Sequence, residues 1–300
     1  MRQSAAFLPP RGQLLAWVYW GGKRMPLITA RKDLDKMSGY LYGLFLLISF
    51  GASIAGAICG IGGGVIIKPT LDAFGVLSVS AISFLSGCTV LAMTCYSVIK
   101  GKMSGESLVD MKTGTPLAIG AAIGGVVGKS MFQAVSSLFA DKDMVGAVQA
   151  ACLLVITLGT LIYTIKKDKI HTHHVTNSVI CVLIGLVLGI LSSFLGIGGG
   201  PINLVVLFFF FSMDTKAAAQ NSLYIILFSQ ITGLLNSLVT GTVPEFSIWL
   251  LVLMVIGGIF GGMSGRVINK RIDEKVVDKL FLSLMVVIIG INLYNIYQFM

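Results

Sequence analysis

The chain has 300 residues and a mass of 31.9 kDa, with 55% hydrophobic residues and 12% charged residues, against about 25% charged in ordinary soluble proteins. A soluble fold of this composition would expose large apolar patches, so we expect most of the chain to lie in lipid. The net charge of +9 comes from basic residues that flank apolar spans, which favours membrane orientation over nucleic-acid binding.

The first 38 residues carry seven of the 22 lysines and arginines. No cleavable signal peptide is visible, and the apolar patch from Leu14 to Trp20 is too short to span a membrane. Residues 1–38 are therefore predicted to be a basic leader at the membrane interface. Its charge predicts a cytoplasmic N-terminus.

Charge-free windows predict an all-α integral membrane protein with about eight transmembrane helices, because a span needs roughly 20 apolar residues. The fifth window has 39 residues without Asp, Glu, Lys or Arg, too many for one crossing, so its helix must break. The windows are residues 40–59, 79–99, 113–128, 144–165, 175–213, 217–244, 246–265 and 280–300.

Two glycine-rich runs interrupt this pattern, GIGGG at residues 60–64 and GIGGGP at residues 196–201. Neither run can continue a regular helix. Both lie deep in apolar sequence, where irregular backbone is tolerated only if protein buries it or it lines an aqueous cavity. Each run therefore predicts a broken or re-entrant helix.

The two runs are 136 residues apart, and other positions match at nearly the same offset. Ser86 corresponds to Ser222, and the glycine series that ends in Lys129 corresponds to the series that ends in Arg266. We therefore predict two homologous transmembrane repeats, residues 39–168 and 175–300. The glycines of the later series, such as Gly120 and Gly257, are interpreted as close helix-packing positions.

Paired interrupted helices in internal repeats are typical of secondary transporters. Each break leaves the positive N-terminal end of a half-helix exposed, and two such ends that face each other make an anion site. The sequence GIGGGVIIKP at residues 60–69, together with GIGGGP at 196–201, resembles the TauE/SafE family of membrane permeases over residues 40–300. The resemblance implies a sulfur-containing anion, such as sulfite or an organosulfonate, as cargo.

The candidate substrate-binding residues are glycines of both runs and polar residues in the following spans. Lys68 follows the first break, and a lone cation within a membrane is a functional candidate; the alternative is a structural pair with Asp72, four residues on. The polar residues serve either as substrate donors or as interhelical hydrogen bonds. The full set is Gly60, Gly62, Gly63, Gly64, Lys68, Ser86, Thr89, Gly196, Gly198, Gly199, Gly200, Asn203, Gln220, Asn221 and Ser222.

Nothing in the sequence points to an enzyme, a cofactor or a metal. Gly262-Met263-Ser264-Gly265 resembles a protease serine motif, but the three histidines all lie in a loop at 171–174, which is interpreted as solvated rather than metal-binding. All 13 acidic residues, Asp72 included, are expected in loops or at helix ends, so no buried carboxylate relay is predicted.

The sequence thus predicts a secondary transporter of small anions in the cytoplasmic membrane. A channel-like anion facilitator and a non-transporting subunit of a larger complex are the alternatives. The expected partners are a small anion and the lipid bilayer, with no nucleic acid, and a homo-oligomer is left open. Basic loops at 100–112 and 266–279 should share one side of the membrane, but eight full crossings would separate them.

Overall fold

The computed structural model describes residues 17–20, 23–26, 39–138 and 142–299. Strands β1 (Trp17–Trp20) and β2 (Lys23–Pro26) form an antiparallel pair in which Trp17 lies opposite Pro26. The rest of the predicted leader lies outside the described residues. The remaining described secondary structure is helical.

Ten α-helices follow the hairpin in the described chain. Eight are long and apolar enough to cross a membrane, which confirms the predicted all-α multi-pass fold. The helices are α1 (Gly39–Cys59), α2 (Gly64–Phe74), α3 (Val79–Met103), α4 (Met111–Leu138), α5 (Lys142–Lys166), α6 (Ser178–Leu195), α7 (Pro201–Phe211), α8 (Thr215–Val239), α9 (Ile248–Arg271) and α10 (Glu274–Phe299). Helices α2 and α7 have 11 residues each and reach about 16 Å, half a bilayer core.

Local signals explain where several helices begin. Side-chain caps satisfy backbone N–H groups that the first turn of a helix leaves without a partner. Ser78 accepts from Ala81 at the start of α3, and Asp214 accepts from Ala217 at the start of α8. Helix α7 begins with Pro201, whose fixed φ suits a first helical position.

Close glycine contacts pair the long helices across the two halves of the chain. A Cβ atom on Gly120 of α4 would lie 2.0 Å from the carbonyl oxygen of Val182 in α6. A Cβ atom on Gly257 of α9 would lie 3.0 Å from the carbonyl oxygen of Leu46 in α1. These glycines therefore pack helix against helix, as predicted from sequence.

Helices α1 and α2 form a hairpin that returns to its starting end. Helix α1 runs parallel to α9, since Tyr42 contacts Ser247 near both starts and Asn269 donates to the Ile58 carbonyl near both ends. A Cβ atom on Gly63 would lie 3.1 Å from Ser53 Oγ, so the glycine run folds back along α1. The first break is therefore re-entrant.

Helices α6 and α7 form the corresponding hairpin from the opposite end. The N–H groups of His173 and Val175, which precede α6, donate to the carbonyls of Phe209 and Phe210 at the end of α7, at 2.7 and 2.9 Å. Helix α7 therefore returns to the end at which α6 begins. The second break is also re-entrant.

Two re-entrant hairpins put loops 104–110, 167–177 and 272–273 at one end of the bundle. We call this end the basic face, because lysines and arginines lie in loop 167–177 and in the helix ends beside all three loops. Arg266 of α9 contacts Glu106, and Lys167 contacts Asp278 of α10 at 2.6 Å. The conflict between the basic loops and eight full crossings is thereby resolved, because each half-helix returns the chain to the end at which its hairpin begins. Gly39 and loops 75–78 and 240–247 lie at the other end, here called the opposite face.

Candidate functional site

The two glycine runs touch at the centre of the bundle, where α2 and α7 both begin. A Cβ atom on Gly64 would lie 1.9 Å from the carbonyl oxygen of Ile197, and one on Gly199 would lie 3.0 Å from that of Ile61. A Cβ atom on Gly62 would lie 3.4 Å from the carbonyl oxygen of Gly198. Only residues without a side chain let the two backbones approach this closely. We call this contact the glycine junction.

The remaining glycines of the candidate set hold the junction against its neighbours. Gly60 (φ 75°) lies against Ala219 of α8, and a Cβ there would come 2.2 Å from its Cα. Gly196 (φ 66°) lies against Ser83 of α3 in the corresponding way. Gly200 is extended, and a Cβ there would meet only the Ile197 side chain, at 3.2 Å.

The positive ends of two half-helices thus meet in the interior. The N–H groups of Ile66 and Ile67 both donate to the Gly63 carbonyl, and that of Asn203 donates to the Gly200 carbonyl. The earlier N–H groups of each first turn have no acceptor inside their helix. This geometry suits an anion, because each helix N-terminus carries about half a positive charge.

Buried hydroxyl groups surround the junction without hydrogen-bond partners among the described residues. Ser86 Oγ lies 3.0 Å from the position of a Gly64 Cβ, and it is fully buried. Ser222 is also fully buried, on α8 between Ala219, which touches Gly60, and Ile226, which touches Gly62. A buried hydroxyl without a partner costs free energy, so both groups are available to a bound ligand.

Lys68 and Asp72 form a buried ion pair on α2, at 2.5 Å. Asp72 lies in the last turn of α2, as expected for a helix end, but its side chain is buried, so the expectation that the interior holds no carboxylate is wrong. One turn of helix brings the two side chains together, which is the structural alternative considered from the sequence. Asp72 Oδ1 has no hydrogen-bond partner among the described residues, and Gly196 lies beside the Lys68 stem.

The other polar candidates divide between the interior and the basic face. Asn203 is buried on α7, and its Oδ1 has no partner in the described chain. Thr89 donates to Leu85 within α3, at 2.9 Å. Gln220 accepts from the Leu108 N–H, and Asn221 bonds the Leu108 carbonyl and the Asp110 N–H, so both amides hold loop 104–110 rather than the junction.

A cavity of about 510 Å³ leads from the basic face toward the junction, and we call it the first chamber. Ala57 and Ala219 form its inner end beside Gly60. Its outer part carries Lys216, Arg266 and Lys270 together with a carboxylate, that of Glu106. Its cations outnumber its carboxylates, so the chamber favours entry of anions.

Hydrogen bonds hold the charged groups of the first chamber in place. Lys270 and Ser104 donate to the Glu106 carboxylate, and these bonds hold the pKa of Glu106 below its ordinary value. Arg266 also donates to Glu106, at 3.2 Å, and to the Ser97 carbonyl, at 3.3 Å. Glu106 is thereby paired with Arg266 and Lys270, two of the cations that an entering anion would meet.

An apolar cluster separates the first chamber from the glycine junction. Its buried members are Ala57, Val90, Met93, Leu223 and Ile226. Val90 and Ile226 contact Gly198 and Gly199 respectively, so the cluster covers the junction directly. We call these five residues the inner gate.

Sequence reasoning missed several of these residues, although signals for some were present. Ser83 lies three positions before Ser86, on the same face of α3, and helical spacing could have identified it. Arg266 matches Lys129 in the glycine series, and this position within the repeat is a signal for a second pair of candidate residues. The inner gate carries no sequence signal, because its residues are ordinary apolar ones.

Comparisons with known proteins identify the family of the chain. Residues 45–293 match the family model described as sulfite exporter TauE/SafE. The relatives include the probable membrane transporter proteins YunE of Bacillus subtilis (23% identical, covering 83% of this chain and 96% of the relative) and of Haemophilus influenzae (27%, 84% and 97%). Another, from Methanocaldococcus jannaschii, is 25% identical over 84% of this chain and 94% of the relative.

No solved structure matches the chain. The described residues contain no group of three or more His, Cys, Asp or Glu side chains that would hold a metal ion. The family match spans both glycine runs, the half-helices and all eight long helices in whole or in part. The chain therefore belongs to the sulfite exporter TauE/SafE family of membrane transporters.

Proposed function

We propose that this transporter carries small anions, sulfur-containing ones such as sulfite or organosulfonates among them, across the cytoplasmic membrane. The observation that supports this most is the glycine junction, where two half-helix N-termini meet beside the unpartnered Ser86 and Ser222 hydroxyls. Backbone N–H groups and hydroxyl groups donate hydrogen bonds, and an oxyanion accepts them.

The junction lies among residues that carry no free negative charge. Asp72 is neutralised by Lys68, and the first chamber supplies Lys216, Arg266 and Lys270 along the route. A tetrahedral or pyramidal oxyanion would meet donors from both half-helices at once. This arrangement favours an oxyanion over a cation or a neutral solute.

The proposed mechanism is secondary transport by two inverted repeats, residues 39–168 and 175–300. The opposed hairpins α1–α2 and α6–α7 support it, because inverted repeats that meet near the midplane are typical of alternating access. The inner gate would open when the repeats exchange conformations. A channel-like facilitator would instead need one continuous pore, and a non-transporting subunit would need none.

Uptake into liposomes tests this function. Purified protein is assayed with sulfite, thiosulfate, an organosulfonate, sulfate, chloride and acetate. Saturable flux of a sulfur oxyanion supports the proposal, and non-saturating flux of all the anions would indicate a channel. Absence of flux, with and without proton or sodium gradients, would contradict the proposal and favour a subunit role.

Orientation in the membrane is a separate part of the proposal. Twelve Lys and Arg residues lie in or beside the loops of the basic face, which would make it the cytoplasmic one: Lys100, Lys102, Lys112, Lys166, Lys167, Lys169, Lys216, Arg266, Lys270, Arg271, Lys275 and Lys279. The basic leader argues the other way, since it joins α1 at the opposite face. We favour the loops, because more charges lie close to helix ends there.

Thiol labelling of intact cells decides between the two orientations. Ser107→Cys reports the basic face and Glu245→Cys the opposite face, each in a background without the five native cysteines. An impermeant reagent should label the Glu245→Cys variant and spare the Ser107→Cys variant. The reverse pattern would restore the cytoplasmic N-terminus predicted from the leader.

A further inference from the structure

A second, much smaller cavity lies between the glycine junction and the opposite face. Its volume is about 20 Å³, space for about one water molecule. Its residues come from the first half of α3, the second half of α4, the end of α6 and the second half of α8. The lining consists of Ser83, Gly87, Lys129, Ser193, Gly196, Gln230, Gly233 and Leu234.

These residues correspond to residues of the first chamber. With the 136-residue offset of the glycine runs, Ser83 corresponds to Ala219 and Leu234 to Val98. Lys129 corresponds to Arg266 in the glycine series. The other matching pairs, all with one member in each lining, are Gly87 with Leu223, Ser193 with Ala57, and Gly233 with Ser97.

The two cavities therefore occupy equivalent places in the two halves of the chain, at opposite faces. One has a volume of about 510 Å³ and the other about 20 Å³. Two halves of similar sequence do not need to adopt the same conformation at the same time. The difference in volume is what an inverted-repeat transporter shows when it is open to one side only.

The chemistry of the small cavity suits an anion. Lys129 forms no ion pair with any described carboxylate, and its ammonium nitrogen lies 5.4 Å from the centroid of the Phe132 ring. Ser83 Oγ is buried and has no hydrogen-bond partner in the described chain. Gln230 is buried, and its Oε1 lies 2.9 Å from the position of a Gly87 Cβ.

We propose that this cavity is the collapsed second chamber of the transporter and that Lys129, Ser83 and Gln230 bind a small oxyanion there when the chamber opens to the opposite face. The proposal rests on the proposed function for its ligand class. The geometric part of the proposal does not rest on that function, because the collapse and opening of the cavity can be measured without a substrate. The first chamber closes as the second opens.

Matched cysteine variants test the geometry. Val98→Cys and Leu234→Cys occupy corresponding places in the two chambers. Each is introduced without the native cysteines and labelled with an impermeant maleimide from each side of proteoliposomes of defined orientation. The Val98→Cys variant should label only from the basic face, and the Leu234→Cys variant only from the opposite face.

The labelling rates of the Val98→Cys and Leu234→Cys variants should also change in opposite directions when an organosulfonate is added on one side. Sulfite is left out, because it consumes thiol reagents. Labelling of both variants from the same face would overturn the proposal. So would an unreactive Leu234→Cys variant under every condition, in a protein that transports normally and labels at Val98→Cys.

Charge variants test the ligand. Lys129→Gln should raise the half-saturating anion concentration at the opposite face about tenfold or more and leave the value at the basic face unchanged. Arg266→Gln should raise the half-saturating concentration at the basic face and leave the value at the opposite face unchanged. Lys129→Arg, which keeps the positive charge, should restore the wild-type value at the opposite face. An equal effect of Lys129→Gln at both faces would overturn the assignment of Lys129. Failure of the wild type to transport any anion would overturn the proposed function alone.

Discussion

At the scale of single residues, the contact between Gly64 and Ile197 is the tightest point of the glycine junction. A Cβ atom at residue 64 would lie 1.9 Å from a backbone oxygen, which cannot move away as a flexible side chain could. The contact joins two half-helices that are far apart in sequence. The relative position of the two N-terminal ends therefore depends on the absence of one methyl group.

Gly64→Ala should consequently separate the half-helices and abolish anion uptake, at a cost of about 1–3 kcal/mol in stability. Gly290→Ala is the matched control, because that glycine lies within α10 and a Cβ there meets nothing within 4 Å. The control should transport normally and gain up to about 1 kcal/mol from helix propensity. Uptake and thermal unfolding in detergent measure both effects, and normal uptake by Gly64→Ala would argue against the junction as the site.

The buried pair on α2 gives a second prediction at this scale. Asp72→Asn leaves the Lys68 ammonium without a counter-charge and should destabilise the protein by about 3–5 kcal/mol. The double variant Lys68→Met, Asp72→Leu should recover most of this loss, since no buried charge remains. Thermal unfolding measures both. Unchanged anion affinity in the double variant would indicate that Lys68 has a structural role. A lower affinity would indicate that Lys68 contributes to anion binding.

At the scale of elements, loop 104–110 is held to α8 by side chains that the sequence suggested for substrate binding. Asn221 is fully buried and bonds the backbone of Leu108 and Asp110. Polar residues within a span face protein, and sequence alone does not distinguish a ligand partner from a backbone partner. The loop that Asn221 meets is 111 residues away in sequence, so only the fold identifies its role.

Asn221→Ala should loosen loop 104–110 and lower stability by about 1–3 kcal/mol, because it leaves backbone groups of the loop without partners. Asn236→Ala on the same helix is the control, since its one recorded side-chain hydrogen bond is long, at 3.5 Å. Thermal unfolding and protease cleavage at the loop report the difference. Equal stability of the two variants would contradict the structural role.

The charged cluster on this loop gives a prediction about pH. Hydrogen bonds from Lys270 and Ser104 lower the pKa of Glu106, so the ionised cluster stabilises the fold above the ordinary glutamate pKa of about 4.3. The contribution is lost as the pH falls through the lowered pKa. The thermal unfolding curves of wild type and Glu106→Gln should differ at neutral pH and converge in acid.

The same variant releases Arg266 and Lys270 in the first chamber. Glu106→Gln should therefore lower the half-saturating anion concentration at the basic face. Flux measurements at varied ionic strength check this, because added salt should weaken the gain. An unchanged half-saturating concentration would mean that anions do not pass this cluster.

At the scale of the whole molecule, the sequence was sufficient for the number of long helices and for the place of both breaks. Apolar windows and glycine runs are local signals, and helix length in a bilayer is fixed by its thickness. The direction of the half-helices was not local information. Whether α2 and α7 continue across the membrane or turn back depends on contacts such as those of Gly63 with α1 and of Phe209 with residue 173.

The surroundings of the charged residues could likewise not be predicted from local sequence. Lys68, Asp72 and Arg266 were all visible as residues, yet one pair is buried and the third lines a chamber. The predicted repeat aligns Arg266 with Lys129 as sequence positions. Only the fold shows that each of the two residues lines a cavity, Arg266 the larger and Lys129 the smaller.

Flux of a sulfur oxyanion into liposomes tests whether a small anion reaches the hydrogen-bond donors at the glycine junction. We expect saturable uptake by the wild type and by Gly290→Ala, and loss of uptake in Gly64→Ala when equal amounts of protein are incorporated. Saturable uptake of acetate or chloride alone would support an anion site at the junction but contradict the proposal that the cargo contains sulfur. Absence of uptake of every anion by correctly folded wild-type protein would contradict anion transport through the glycine junction.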